Sequence, residues 1–298
     1  MKVCYLILAH KNAPQLQRLI SRLSGTGTSF FVHINKRETE MYHQSVATLA
    51  EFDNVHFIRQ HKIWWGTFSI VEAILEGMQQ IVQLNIAYDR LVLLSGQDYP
   101  IKSNSQIQQF FAQAVDKSYI SYFSLSANNI WTNGDGWYDA KRRTENFYLR
   151  YRSKMIAIPL KRKLPYGMMV YGGSLWFNLT RECVEYVVGI VEGNRKYVNF
   201  MAHTFLPDEI FFQTLLLNSP LRSTIISNDL RYIDWEKANP TPPGTLMVED
   251  FENLRQSPAL YARKFDMNRD VEIFNLIDRS MGVKLEQGKA LLNEGMNH

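Results

Sequence analysis

Only two cysteines occur in 298 residues, Cys4 and Cys183, which excludes a disulfide-stapled scaffold and any cysteine-based metal centre. They lie far apart, and both sit in apolar patterns, which predicts two buried thiols in a reducing compartment. No apolar run approaches the roughly 20 residues that a bilayer-crossing helix needs. The nearest candidate, Val3-Cys4-Tyr5-Leu6-Ile7-Leu8-Ala9, lacks a cleavage-type flank and reads as a strand rather than a signal peptide. There is no glycine-rich phosphate loop, no nearby Ser-His-Asp spacing and no His-x-x-x-His pair, so kinase, serine-hydrolase and zinc readings have no support. Asp-x-Asp, a common way to hold a divalent ion after a central strand, is absent too. Acid is scarce in one place: between Lys141 and Lys163 the single carboxylate is Glu145, against nine Lys and Arg.

What is present is an ordinary globular balance, 46% apolar and 21% charged, with a net charge of +4. Strand and helix signals alternate from the start. Residues 2–9 read as a buried strand, and Leu16, Leu19, Ile20 and Leu23 mark a helix at spacings of three and four. Strands at 29–34, 55–58 and 90–95 follow, with helices near 38–52, 67–84 and 104–115. Such alternation predicts an α/β fold, a mostly parallel central sheet covered on both faces by helices. After residue 117 the rhythm changes: an Asn/Gly-rich stretch at 128–136, the basic segment, a strand at 171–177, helices from about 180 and from Pro207, a strand at 230–235 and a proline-rich loop at 239–244. No linker or internal repeat appears, so we expect one domain over 1–298, with residues 1–117 as its nucleotide-binding half and 118–298 as its acceptor-binding half.

Three places can carry chemistry. Leu91-Val-Leu-Leu-Ser-Gly-Gln-Asp98-Tyr-Pro-Ile-Lys102 is an apolar strand that breaks into a small polar turn, and ligands of α/β proteins collect at such strand ends. A plain β-turn-α connection would look the same. Pro207-Asp208-Glu209 places two carboxylates at the start of a helix, where the dipole is expected to lower their pKa. This is either an ordinary helix start or an ionised base. Arg263-Lys264 sets two adjacent cations between apolar flanks, suited to a pyrophosphate or to an ion pair with Asp266. His10 and His33 end strands where a nucleotide can be touched, and a hydrogen-bonded structural role is the competing reading for both. Trp131, Trp137 and Trp176 are core filling or sugar platforms.

Taken in order, Tyr5-Leu-Ile-Leu-Ala-His10-Lys11, Val32-His-Ile-Asn-Lys36, Trp64-Trp-Gly66, Leu94 to Lys102, Gly173-Ser-Leu-Trp-Phe177, Pro207-Asp-Glu209 and Ala262-Arg-Lys-Phe-Asp266 resemble the core-2/I-branching glycosyltransferases. These form glycosyltransferase family 14, which includes peptide O-xylosyltransferases. The resemblance implies a GT-A type fold, inversion at the anomeric carbon, and a metal-independent reaction in which basic residues replace the metal. Matched position by position, it implies Glu209 as catalytic base and Lys264, aided by Arg263, at the donor diphosphate. His10, Asn35, Trp65 and Asp98 are expected around the nucleotide, and Trp235, Asp208 and Arg143 around the acceptor.

The expected donor is a UDP-sugar, with N-acetylglucosamine ahead of xylose, and no cofactor or metal ion is expected. Asn35 stands where the family commonly has an acid, and no cation stands near Thr241, where some members place one; Arg263 would supply that charge. The basic segment 141–163 is expected to meet a glycan or lipid-linked glycan acceptor, or an anionic membrane. Nucleic acid is not expected as a partner, since no zinc finger or RRM signature is present. The missing membrane anchor and cysteines point to a cytoplasmic, bacterial enzyme, with peripheral membrane association as an option. A catalytically silent nucleotide- or glycan-binding module is the reading from outside the enzymes.

Overall fold

The structure, a computed structural model, describes residues 1–125, 140–152, 154–237 and 243–282. The Asn/Gly-rich stretch with Trp131 and Trp137, and Thr241 in the proline-rich loop, lie outside the described residues. The strands are β1 (Val3–Ala9), β2 (Thr28–Ile34), β3 (Val55–Phe57), β4 (Arg90–Ser95), β5 (Asp98–Pro100), β6 (Ser118–Ile120), β7 (Phe123–Ser124), β8 (Asn146–Tyr151), β9 (Lys154–Lys161), β10 (Tyr171–Gly172), β11 (Phe177–Thr180), β12 (Ile225–Ile226), β13 (Arg231–Ile233) and β14 (Tyr261–Arg263). Seven of them form one sheet in the order β12-β6-β11-β4-β1-β2-β3. Every pairing in it is parallel except those of β11, which runs antiparallel to both β4 and β6. This is the mostly parallel α/β sheet that the alternation predicts.

Why both faces are covered is visible in β1. All seven of its residues are buried, and because side chains alternate, Cys4, Leu6 and Leu8 enter one core while Val3, Tyr5, Ile7 and Ala9 enter the other. The first core is closed by α3 (Ser69–Gln83), which follows α1 (Ala13–Leu23) and α2 (Thr39–Leu49) in the chain. The second is closed by α1, whose Leu16, Leu19, Ile20 and Leu23 are fully buried. Asn12 caps α1 by accepting from the Gln15 amide, and Ser103 starts α4 (Asn104–Ala112) with a capping box through Gln106. Both cysteines are buried and unpaired. Among the described residues no helix is long and apolar enough to cross a membrane.

Two segments differ from the sequence reading. The expected strand at 171–177 is two strands, β10 and β11, separated at Gly173–Trp176. A Cβ on Gly173 would lie 1.9 Å from the Ser121 carbonyl oxygen, so the backbones approach too closely for a regular strand to pass. The expected helix from Pro207 is a single 3-10 turn, Pro207–Glu209, interrupted at Ile210 before the helix Phe211–Leu217 begins. The basic segment is folded as a short helix, Ala140–Glu145, and an antiparallel hairpin of β8 and β9.

A second, three-stranded sheet, β13-β14-β5, stands beside the strand ends and sets Asp98 opposite Arg263 and Ile233 opposite Arg263. Gln15, 1% exposed, fastens it to the main sheet: its Nε2 donates to the Gly96 carbonyl at 2.8 Å and the Phe265 carbonyl at 3.2 Å, and its Oε1 accepts from the Met267 amide at 2.8 Å. Removing that side chain leaves buried backbone groups unpaired. Gln15→Ala is therefore expected to lower stability in urea unfolding by roughly 2–4 kcal/mol, well beyond an ordinary helix-surface substitution.

Candidate active site

The parallel register brings three strand ends together, since Ala9 pairs with Ile34 and Leu8 with Ser95. His10, Asn35 and Gly96 consequently emerge at one edge of the sheet. A cleft of about 570 Å³ opens there, lined by residues that include His10, Lys11, Pro14, Arg37, Met41 and Asn268. Asn35 does not present its side-chain oxygen to this cleft unoccupied: it accepts from the Arg37 and Ile63 amides, both at 3.2 Å, and so fixes the chain leading to Trp64. His33 has the structural role, accepting from the His61 amide at 2.9 Å, and its burial pushes its pKa down to about 4.

Cations converge on the same edge. The Lys264 pKa is lowered by burial, then by Arg263 and Lys11; that of His10 is lowered by burial, with Lys11, Arg263 and Lys264 contributing. Their mutual repulsion would be relieved by an anion placed among them. Lys11, which the sequence reading passed over, pairs with Asp266 at 2.6 Å. Trp235 follows β13 at the end where Ile233 lies opposite Arg263, and its ring is 61% exposed.

Asp98 corrects its expected role as a nucleotide contact. It is fully buried, accepts from the Ser95 amide at 2.9 Å and the Ser95 hydroxyl at 3.0 Å, and receives Arg263 Nε at 3.0 Å. That guanidinium also lies over the Trp176 ring, its central carbon 4.2 Å from the ring centroid. Arg263 is thus clamped by an anion and an aromatic face, which aims the residue beside Lys264. Trp176 is 7% exposed and serves as the clamp wall rather than as a sugar platform.

The carboxylate turn is bonded to the segment that carries Trp176. The Gly173 amide donates to the Glu209 carbonyl at 2.9 Å, and Gln213 Nε2 donates to the Ser174 carbonyl at 2.7 Å. Leu206 donates its amide to the Gly66 carbonyl at 3.0 Å, which docks the Trp64-Trp65-Gly66 loop on this turn. Gly66 has φ +76°, and a Cβ there would meet the Phe205 ring at 2.6 Å, so only glycine fits. Trp65 projects from the loop, 78% exposed, edge-on to Phe205.

Glu209 Oε2 accepts from Arg143 Nη1 at 2.6 Å. Arg143 is only 2% exposed, so its expected place at the acceptor becomes that of a buried partner holding Glu209. The expected drop in carboxylate pKa is also reversed. Burial pushes Asp208 up to about 7, with Glu209 adding to the rise, and burial raises Glu209 against the opposing pull of Arg143. A three-residue 3-10 turn has little dipole to offer, and desolvation outweighs it. Asp208 Oδ1 is buried with no hydrogen-bond partner among the described residues.

Because Asp208 holds its proton in the folded chain to a higher pH than in the unfolded chain, its contribution to stability is present below about pH 4 and is lost as pH rises through about 7. Asp208→Asn, neutral at every pH, is expected to melt a few degrees higher than the parent at pH 8 and to show no such gain at pH 4. Melting curves at the two pH values check this.

The profile of the Core-2/I-Branching enzyme family matches residues 3–255. Similar curated proteins include xylosyltransferase 2 of Canis lupus familiaris, 27% identical over 300 residues, covering 93% of this chain and 33% of that protein. Xylosyltransferase 1 of Rattus norvegicus is 27% identical over 299 residues, with 93% and 35% covered, and xylosyltransferase 2 of Homo sapiens 28% over 301, with 93% and 33%. The chain spans about a third of the length of these relatives. Among solved structures, 4-diphosphocytidyl-2C-methyl-D-erythritol synthase from Anaerococcus prevotii is similar at TM-score 0.34 and 12% identity over 64% of this chain and 74% of that one. Arg263 and Lys264 fall after the matched stretch, and Arg263 is tied back to it through Asp98 and Trp176. With the match running from β1 through the carboxylate turn and beyond, this chain belongs to the Core-2/I-Branching enzyme family.

Proposed function

We propose that the chain transfers a sugar from a UDP-sugar to an acceptor hydroxyl with inversion at the anomeric carbon and without a metal ion. The observation that carries this reading is one chain of contacts: the Gly173–Trp176 segment touches both Arg263, beside the crowded cations, and the turn that bears the half-buried, Arg143-held Glu209. The cations are suited to a diphosphate and the glutamate to a proton.

In the reaction, Glu209 takes the acceptor hydroxyl proton as the oxygen bonds to the anomeric carbon. The bond from that carbon to the diphosphate breaks, and its electron pair leaves on the phosphate oxygen. Lys264, with Lys11 and Arg263 nearby, offsets the charge that builds there. Burial raises the pKa of Glu209 and so makes its carboxylate a stronger base than an exposed one. The cleft at His10, Arg37 and Met41 takes the nucleotide, and the exposed side chains of Trp235 and Trp65 are available to sugars. The names of the relatives support xylose, ahead of N-acetylglucosamine, as the donor sugar to be tested first.

Glu209→Gln is expected to lower kcat by roughly 10²–10⁴-fold with UDP affinity unchanged by calorimetry. Near-normal turnover would remove Glu209 from this role. Lys264→Ala should weaken UDP far more than uridine, and transfer should proceed at full rate in excess EDTA. A silent binding module would instead bind UDP and release none from any UDP-sugar offered.

A further inference from the structure

We propose that the outer face of the β8–β9 hairpin docks on a bilayer surface rich in anionic headgroups. The inference stands apart from the sugar-transfer reading, because it uses none of the residues assigned there. The register separates two faces: Leu149 lies opposite Ile156 and Tyr151 opposite Lys154, while Tyr148 lies opposite Ala157 and Arg150 opposite Met155. The inner face is packed at Tyr148 and Met155. Tyr148 is buried and stacked on Phe205 at 5.6 Å, Met155 packs into the same cluster, and Arg150 lies 4.2 Å over the Trp64 ring.

A two-stranded ribbon needs one packed face to persist, and this one has it. Its other face is packed only at its base, where Phe147 stacks on His203 at 4.2 Å, and toward the tip it presents Leu149, Tyr151 and Ile156 at 43%, 61% and 47% exposure. Beside them stand Arg152 and Lys154, both exposed, with the Arg152 guanidinium 5.5 Å over the Tyr151 ring. Glu145, the one acid of the segment, is already paired with Lys161 at 3.2 Å and with Lys141 at 3.7 Å. The face therefore combines aliphatic side chains, an amphipathic ring and charge of one sign. Acyl chains, the interfacial layer and anionic headgroups complement these in turn.

The test is co-sedimentation of the full chain with phosphatidylcholine vesicles, with and without phosphatidylglycerol, at low and physiological salt. Binding is expected only with phosphatidylglycerol, and stronger at low salt. The double variants Leu149→Asp/Ile156→Asp and Arg152→Glu/Lys154→Glu should each weaken it by roughly tenfold or more, with melting temperature and UDP binding unchanged. The second variant changes only exposed polar positions, so it keeps the test valid if the first unfolds. No sedimentation at either salt concentration, variants that sediment like the parent, or capture of polyglutamate in place of vesicles would overturn the proposal. Vesicle binding by a chain that transfers no sugar would uphold it while ending the sugar-transfer reading.

Discussion

One guanidinium holds the two sides of the site in relation. Arg263 receives its position from Asp98 at 3.0 Å on one side and from the Trp176 ring at 4.2 Å on the other. Asp98 is in turn fixed by the Ser95 amide and hydroxyl at the end of β4, and Trp176 belongs to the segment whose Gly173 grips the Glu209 carbonyl. A charge buried at this depth is tolerated only when paired and hydrogen-bonded, and here the pairing also transmits position. The strand end that carries the cations and the turn that carries the two carboxylates are thereby referred to a common point.

The carboxylate turn shows a competition decided by burial. Two acids at a helix start would ordinarily gain from the dipole. Here the helix is cut at Ile210, where φ is −132°, and the turn is sunk between the Trp64–Gly66 loop and the Gly173 segment. Desolvation then wins, and Asp208 and Glu209 are both raised. Arg143 opposes the rise at Glu209, while Glu209 adds to the rise at Asp208, so burial acts on both carboxylates and their neighbours act on each differently.

Much of the frame was legible from periodicity, because an amphipathic helix such as α1 or a doubly buried strand such as β1 writes its environment into every third or every second residue. The motifs at residues 10–11, 64–66, 94–102, 207–209 and 262–266 were legible as a set. The partners of Gln15 and Lys11 were not. A buried Gln on an otherwise apolar helix face, or a Lys after a strand, carries no local sign that its partners lie some 250 positions away, at Phe265, Met267 and Asp266. Arg143 was read toward the acceptor, since nothing beside it in the chain says that Glu209 will reach it.

The sheet with its flanking helices, and the identity of the polar groups at its ends, are written in the chain, since both follow from local pattern and side-chain chemistry. The employment of each group came with folding: Asp98 as the anchor of Arg263, Trp176 as a wall, Arg143 as the holder of Glu209, and the sign of the carboxylate shifts. Those depend on distance and desolvation, and both arise only when segments remote in the chain exclude water from one another.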